Sequence, residues 1–338
     1  MPAPPTVTAL HQPLRFQRVF LEKVWGGRAL ERHPGIELPP GVSVGETWEV
    51  VDRPDQNSVV RGGPWAGRSL GDLVREHGPD LLGRARPNPR GRFPLLIKYL
   101  DASEALSVQV HPDEPTARRL GGPSESKTEA WYFLHAAPGG AVYSGLRSRV
   151  RPEQVRARLA ERGLVDLLCR WPVRAGQCLT VRGGTVHAIG AGVTLLEVQQ
   201  NSDTTYRLYD WDRPGLDGRP REMHVEPGLA AIRYDDVAPA PAEPTEQQIS
   251  AGVWVGLAAQ TEFFRMRRLR LQALAGRSTE QQFKIYVVLS GGGLLSTSRG
   301  AREPLAIGDV LLVPALAEAV EIQPAAGGLE MLELDANA

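Results

Sequence analysis

The sequence predicts a mainly β protein built as two β-barrels in tandem, the first carrying a small helical insertion. Three observations support this. Apolar runs are short and broken by Gly, Pro, Asp and Asn, with 36 glycines and 28 prolines in 338 residues, as in an all-β sandwich or barrel. The stretch DDVAPAPAEPTEQQ, residues 235–248, is rich in Pro and Ala and has no periodicity, so it reads as a semi-rigid linker. A strand, corner, strand shape recurs on both sides of it, as CLTVRGGTVHAI and as GDVLLVPA followed by AEAVEI.

The first unit, residues 1–234, holds the strand candidates PLLIKYL (94–100), ALSVQV (105–110), AWYFLH (130–135), AVYSGL (141–146), CLTVRG (178–183), VTLLEVQQ (193–200) and TYRLYD (205–210). A helical insertion is expected near 151–170. Pro152 suits its first turn, and Val155, Leu159, Leu164 and Leu168 recur at roughly helical spacing, broken by Gly163. A second short helix is expected in VEPGLAAIR, before the linker. The second unit, 249–338, continues with GVWVGLA, FFRMRRLRL, QFKIYVVLSG, PLAIGDVLLVPA, AEAVEIQ and LEMLEL. All seven histidines and both cysteines precede the linker. Metal chemistry is therefore expected in the first barrel, and the second is expected to be metal-free.

Composition narrows the function classes. With 42% hydrophobic and 23% charged residues, a buried core is within reach. Lys plus Arg equals Asp plus Glu, which argues against a nucleic-acid partner but not against a small anionic ligand. Cys169 and Cys178 are too few for a disulfide framework and form no CxxC pair. No apolar run is long enough to cross a bilayer, so the expectation is a cytoplasmic protein with no membrane partner. Of 39 basic residues only Lys23, Lys98, Lys127 and Lys284 are lysine. A chain that uses arginine almost everywhere keeps lysine where a compact ammonium is needed, although arginine-biased codon usage accounts for the same ratio.

The stretch LSVQVHPDE, residues 106–114, places Ser107, Gln109 and His111 on one strand face opposite Leu106, Val108 and Val110. Glu129 opens the strand TEAWYFL, Lys127 lies two residues before it, and His187 follows the Gly183–Gly184 corner. Gln109, His111, Glu129 and His187 could bring ligand atoms together. Imidazole and carboxylate suit a borderline divalent ion such as zinc. Spacing alone leaves this reading level with one in which each residue is structural. The dense polar run QQNSDTTYRLYDWDR, residues 199–213, shifts the balance, because so many donors and acceptors are costly to bury without partners. On its flanking strands Glu197 and Gln199 share one face, and Thr205, Arg207 and Tyr209 share another.

Several separated motifs together resemble one family. They are WGG at 25–27, GETWEV at 45–50, LLIKYLDA at 95–102, LSVQVHPDE, KTEAWYFL at 127–134, and GTVHAIGAG followed by LLEVQQNSDTTYRLYDWDR. In order and spacing they are similar to the type I phosphomannose isomerases in their short bacterial form, zinc enzymes of the cupin superfamily. The resemblance covers roughly residues 15–235 strongly and the second unit more loosely. It implies two jelly-roll-like cupin barrels and reversible isomerisation of mannose 6-phosphate to fructose 6-phosphate through an enediol. It implies one divalent ion, Zn2+, on Gln109, His111, Glu129 and His187. It further implies an essential Arg207, pocket lysines Lys98 and Lys127, a substrate-binding hydroxyl on Ser107 and an acidic residue at Glu197. The base stays open between Glu197, Lys127 and a metal-bound hydroxide, with Glu197 preferred. His224 is expected to be structural and a monomer is the default. An oxygenase-type cupin fits less well, since it would present HxH where this chain has Gln109. The same chemistry on another aldose, and a non-catalytic sugar-phosphate-binding cupin, remain alternatives.

Overall fold

The computed structural model describes residues 10–32, 36–147, 150–235 and 238–337. In the first unit, β1 (Val19–Gly27), β2 (Val44–Val50), helix α1 (Leu70–Leu82) and β3 (Leu95–Ala102) come first. They are followed by β4 (Val108–Val110), α2 (Glu114–Leu120), β5 (Glu129–Ala136), β6 (Ala141–Leu146) and α3 (Pro152–Ala160). The unit ends with β7 (Leu168–Pro172), β8 (Cys178–Val181), β9 (His187–Ile189), β10 (Val193–Gln200), β11 (Tyr206–Tyr209) and α4 (Val225–Ala231). In the second unit β12 to β19 occupy Glu246–Ser250, Val253–Gln260, Phe264–Leu271, Ala275–Ser278, Lys284–Thr297, Arg302–Ala306, Val310–Val313 and Ala319–Ala336.

The chain is mainly β, as the sequence predicts, in three antiparallel sheets. One has the order β1-β2-β3-β10-β5-β8 and another β11-β4-β9-β6-β7; the eight strands of the second unit make the third. Side-chain alternation assigns each face of the six-stranded sheet. Leu100, Trp131, Phe133, Val193 and Leu195 pack across to Val142 and Ile189 of the five-stranded sheet. The opposite face, with Leu95, Ile97, Ala130, Tyr132, Leu196 and Val198, packs on α1 and on Phe264, Met266, Phe283, Ile285 and Leu334 of the second unit. That double cover explains why every residue of β3 is buried although the strand carries Lys98 and Asp101.

The outer face of the five-stranded sheet, with Val108, Val110, Val186 and Leu208, is covered by Val155, Leu164, Leu229 and Ile232 of the helical segments. The predicted insertion is helical over Pro152–Ala160 and again, as a 3-10 turn, over Leu164–Leu167; from Leu168 the chain is strand β7. Gly163 separates the two helical pieces, and pairing of β7 with β6 overrides the helical spacing at Leu168. The second unit packs on the far side of the six-stranded sheet, away from the space between the two sheets of the first.

Candidate metal and substrate site

The site lies between the six- and five-stranded sheets, and strand register builds it. On the five-stranded sheet Gln109 of β4 pairs with His187 of β9 on one side and with Arg207 of β11 on the other. On the six-stranded sheet Trp48, Lys98, Glu197 and Trp131 form a row of direct cross-strand neighbours on β2, β3, β10 and β5. Glu129 begins β5, with Lys127 just before it. Cross-strand neighbours stand about 5 Å apart, so two such rows facing each other concentrate charge in a small volume.

Local chemistry fixes the strand ends. β4 stops at Pro112, and Asp113 caps α2 by accepting from the Thr116 amide at 2.9 Å. The Gly183–Gly184 corner then docks on this end, with the Gly184 amide 2.7 Å from the His111 carbonyl. A Cβ on Gly183 would lie 2.8 Å from the Pro112 carbonyl oxygen, so only glycine lets the segments carrying His111 and His187 approach this closely.

His111, Glu129 and His187 are fully buried, and their ligand atoms lie within 4.8 Å of one another. His111 Nδ1 donates to the Thr204 carbonyl and His187 Nδ1 to the Thr185 carbonyl, both at 2.8 Å. Each ring therefore turns an unprotonated Nε2 toward Glu129, at 3.4 Å in both cases, the tautomer arrangement of a metal-binding imidazole. Burial, then the Lys127 ammonium, pushes His111 down to about 3. Burial likewise lowers His187, so both rings are neutral and able to ligate. Gln109 lies 3.3 Å from His187 Nε2 and accepts from the Ser107 hydroxyl at 3.2 Å.

Glu129 is the decisive group. Lys127 Nζ approaches its Oε2 to 2.9 Å but off the hydrogen-bonding direction, and neither carboxylate oxygen accepts a hydrogen bond among the described residues. Burial works against its charge, and the Lys127 ammonium outweighs it, so the carboxyl is held well below the usual carboxylate range. A buried anion without hydrogen bonds is costly unless a cation takes its lone pairs. A divalent ion coordinated by this carboxylate and the two imidazoles would satisfy all three, so the donor set fits a metal.

Beside this cluster is a cavity of about 280 Å³ whose lining includes Ser107, Gln109, Lys98, Lys127, Glu129, His187, Glu197 and Arg207. Thus eight of the nine sequence-predicted residues line it, and the ninth, His111, lies directly behind with its Nε2 3.2 Å from Lys127 Nζ. Glu197 accepts from the Trp131 indole at 3.2 Å through Oε2, while Oε1 is buried and unbonded. Lys98 stands 3.5 Å and Lys127 3.9 Å from that free oxygen. Burial, then Glu129, raises the Glu197 carboxyl above its ordinary value.

Other lining residues escape the sequence reading. Glu46, in the motif GETWEV, is buried 3.4 Å from Lys98 and accepts from the Trp48 indole at 2.7 Å. Burial opposes its charge, but Lys98 and Lys23 hold the carboxyl down at about 2. Lys23, Asp203 and Arg221 also line the cavity. Three of the chain's four lysines are therefore here, a signal the lysine–arginine ratio contained. Part of the polar run 199–213 is structural. The Asn201 amide donates to the carbonyls of Asp52 and Phe93, and Gln199 Nε2 to those of Gln200 and Ser202. A register slip after Arg207 turns Tyr209 away from the cavity, to pack on Trp211. His224 accepts from the Arg207 amide at 3.3 Å through Nδ1, the structural role expected of it.

The catalytic-domain model of type I phosphomannose isomerases matches residues 14–136. The mannose-6-phosphate isomerase of Streptococcus mutans is 34% identical over 90% of this chain and 92% of its own. The mannose-6-phosphate isomerase ManA of Bacillus subtilis is 35% identical over 90% of this chain and 93% of its own. Among solved structures, mannose 6-phosphate isomerase from Bacillus subtilis superposes with a TM-score of 0.86 at 31% identity, covering 96% of this chain and 99% of the other.

Proposed function

The chain belongs to the type I phosphomannose isomerases, and from that premise we propose that it interconverts mannose 6-phosphate and fructose 6-phosphate at the cavity between its two facing sheets. The carrying observation is the buried His111–Glu129–His187 cluster beside a second buried carboxylate, Glu197, which keeps one oxygen free.

The reaction moves a proton from C2 to C1 of the open-chain sugar. Glu197 Oε1 takes the C2 proton, and the electrons of that C–H bond form the C1–C2 double bond while charge moves onto O1. Passing the O2 proton to O1 and returning the first proton to C1 leaves the ketose. A carboxyl raised by burial is a stronger base than an exposed one, and the Trp131 indole fixes its orientation. Lys127 stands close enough to carry the proton between oxygens. Arg207 offers a fixed positive charge to the oxygen on which charge grows. Ser107 and Lys98 bind the substrate. A divalent ion on Gln109, His111, Glu129 and His187 would supply Lewis-acid stabilisation of that same charge.

The proposal takes the ion to be zinc, which nitrogen and oxygen donors suit. It takes the chain to act as a cytoplasmic monomer, with residues 1–234 and 249–338 as its domains and 235–248 joining them. Among the described residues no helix is long and apolar enough to cross a membrane. The test is coupled mannose 6-phosphate isomerisation by chelator-stripped protein with and without added zinc, alongside metal analysis. Activity that disappears on stripping and returns with zinc supports the reading. Activity that survives stripping overturns the metal assignment, and inactivity of metal-loaded protein overturns the isomerase.

A further inference from the structure

The two histidines of the cluster are oriented by unequal means. The acceptor for His187 Nδ1 is the Thr185 carbonyl, two residues before it on the same corner. The acceptor for His111 Nδ1 is the Thr204 carbonyl, which belongs to a separate segment between β10 and β11. The direction of His111 Nε2 therefore depends on what holds that segment in place. The loop before β5 supplies the hold. The Glu125 amide donates to the Thr204 hydroxyl at 2.9 Å, and the Ser202 hydroxyl donates to the Glu125 carbonyl at 3.2 Å. The Glu125 side chain adds a third tie. Arg53 Nη1 donates to Glu125 Oε2 at 2.9 Å and to the Asn201 carbonyl at 3.2 Å, so one guanidinium bridges both loops. The Arg53 and Glu125 side chains are only 15% and 16% exposed, which shelters this pair from solvent screening. Arg90 Nε lies 2.5 Å from the other Glu125 oxygen, but Arg90 is 51% exposed, and an exposed pair contributes little. Glu129 and His187 have holds of their own. Thr128 exchanges backbone and side-chain bonds with Gln200 at 3.1 and 2.8 Å, and its hydroxyl accepts from the Gly183 amide at 3.1 Å.

We propose that Glu125 is a positioning residue for the metal site: through Arg53 it clamps the segment 201–204, so that the Thr204 carbonyl keeps the proton on His111 Nδ1 and His111 Nε2 turned to the ligand cluster. This rests on the metal reading given above. An imidazole ligates well when its other nitrogen donates to a fixed acceptor, which sets both tautomer and ring direction. Here the acceptor is fixed from a distance, and the charge-assisted Arg53–Glu125 bond is the strongest of its ties. Glu125 touches neither the ligands nor the cavity between the sheets. On its outer side lies an open cleft of about 640 Å³ whose lining includes Arg90, Glu125, Ser126, Gln200 and Asn201. A change at Glu125 therefore alters the wall of a cleft and leaves the packed core alone.

The test compares the parent with Glu125→Gln, Glu125→Asp, Arg53→Met and Arg90→Met as full chains, by two measurements. Zinc affinity of the chelator-stripped protein is read by competition with a chromophoric chelator. The histidine tautomers of the stripped protein are read from the nitrogen shifts of their rings by NMR, with His187 as internal control. Glu125→Gln and Arg53→Met are expected to weaken zinc binding about 10-fold, the lower end for loss of an outer partner of a ligating imidazole. Both should mix the tautomers of His111 and leave His187 as it is. Glu125→Asp, which keeps the charge, is expected to lie between Glu125→Gln and the parent, and Arg90→Met to stay close to the parent. Unchanged zinc affinity in Glu125→Gln overturns the proposal. So does a weakened affinity with His111 unmoved, or an equal change at His187, which would mark a general loosening. The two readings fail separately. If the parent binds no zinc but Glu125→Gln mixes the His111 tautomers, the metal reading fails and the clamp on His111 stands. If the parent binds zinc and Glu125→Gln binds it equally well, the positioning role alone fails.

Discussion

Glu197 is a buried carboxyl with one oxygen anchored and one free, and that asymmetry predicts its kinetics. Removing the charge while keeping the shape, as in Glu197→Gln, is expected to lower kcat by roughly 10²–10⁴-fold with little change in KM, the range for loss of a general base. The base works only when ionised. Because burial and Glu129 raise its folded pKa above the ordinary carboxylate value, kcat/KM should fall as pH drops through a midpoint above the usual carboxylate range. A pH profile of the parent locates that limb, and its retention at the same midpoint in Glu197→Gln would assign it elsewhere. Two of the candidate ligands, His111 and His187, were legible because they stand close to turn residues visible in the sequence, Pro112 and Gly183–Gly184. Glu46 and Arg221 were harder to read. The first looks like one more polar residue in an apolar strand, and the second matters only because Asp210, eleven positions away in sequence, folds back to meet it.

Elements were readable where one physical rule governs them. The strands Ala141–Leu146 and Val193–Gln200 occur at the predicted bounds, because turn residues delimit both. Helix α1 is not among the predicted elements. Pro79 lies inside it and the backbone leaves helical geometry at His77, so the sequence resembles two fragments too short to be helices. Likewise AEAVEIQ and LEMLEL read as two strands but form the single β19, which stays paired with β16 through two register shifts. The end of α1 carries a sharper consequence. Gly83 has φ +63° and a Cβ there would lie 2.0 Å from the Gln281 carbonyl oxygen, while the Arg84 amide donates to that same oxygen at 2.8 Å. Gly83→Ala would strain the backbone and push the second unit off the helix. A loss of about 2–3 kcal/mol is expected, or a fall in Tm of roughly 4 °C or more in a thermal scan, with the metal content unchanged.

At the scale of the whole molecule, the largest apolar cluster belongs to neither unit alone. Ile97, Tyr132 and Val198 of the six-stranded sheet share it with Phe264, Phe283, Ile285 and Leu334, and Leu14 pairs with Leu312 across the junction. A chain ending at residue 234 would leave one face of the site-bearing sheet open to water. We expect it to bind a hydrophobic dye and to lose its near-ultraviolet circular dichroism, whereas the full chain unfolds in one cooperative transition. A truncated form with native spectra and metal binding would show the units to be independent. The sequence did not signal this dependence, since nothing in a strand's alternation says which partner will cover it. The placement of the lysines bears on handling the protein. Lys98, Lys127 and Lys284 are buried, and Lys23, with its side chain 33% exposed, stands at the cavity. Acylating reagents, aldehyde fixatives and amine-coupled supports all look for a free surface amine. On the folded chain the only side chain they can find is the one beside the substrate cavity, so routine labelling or immobilisation would itself act on the site.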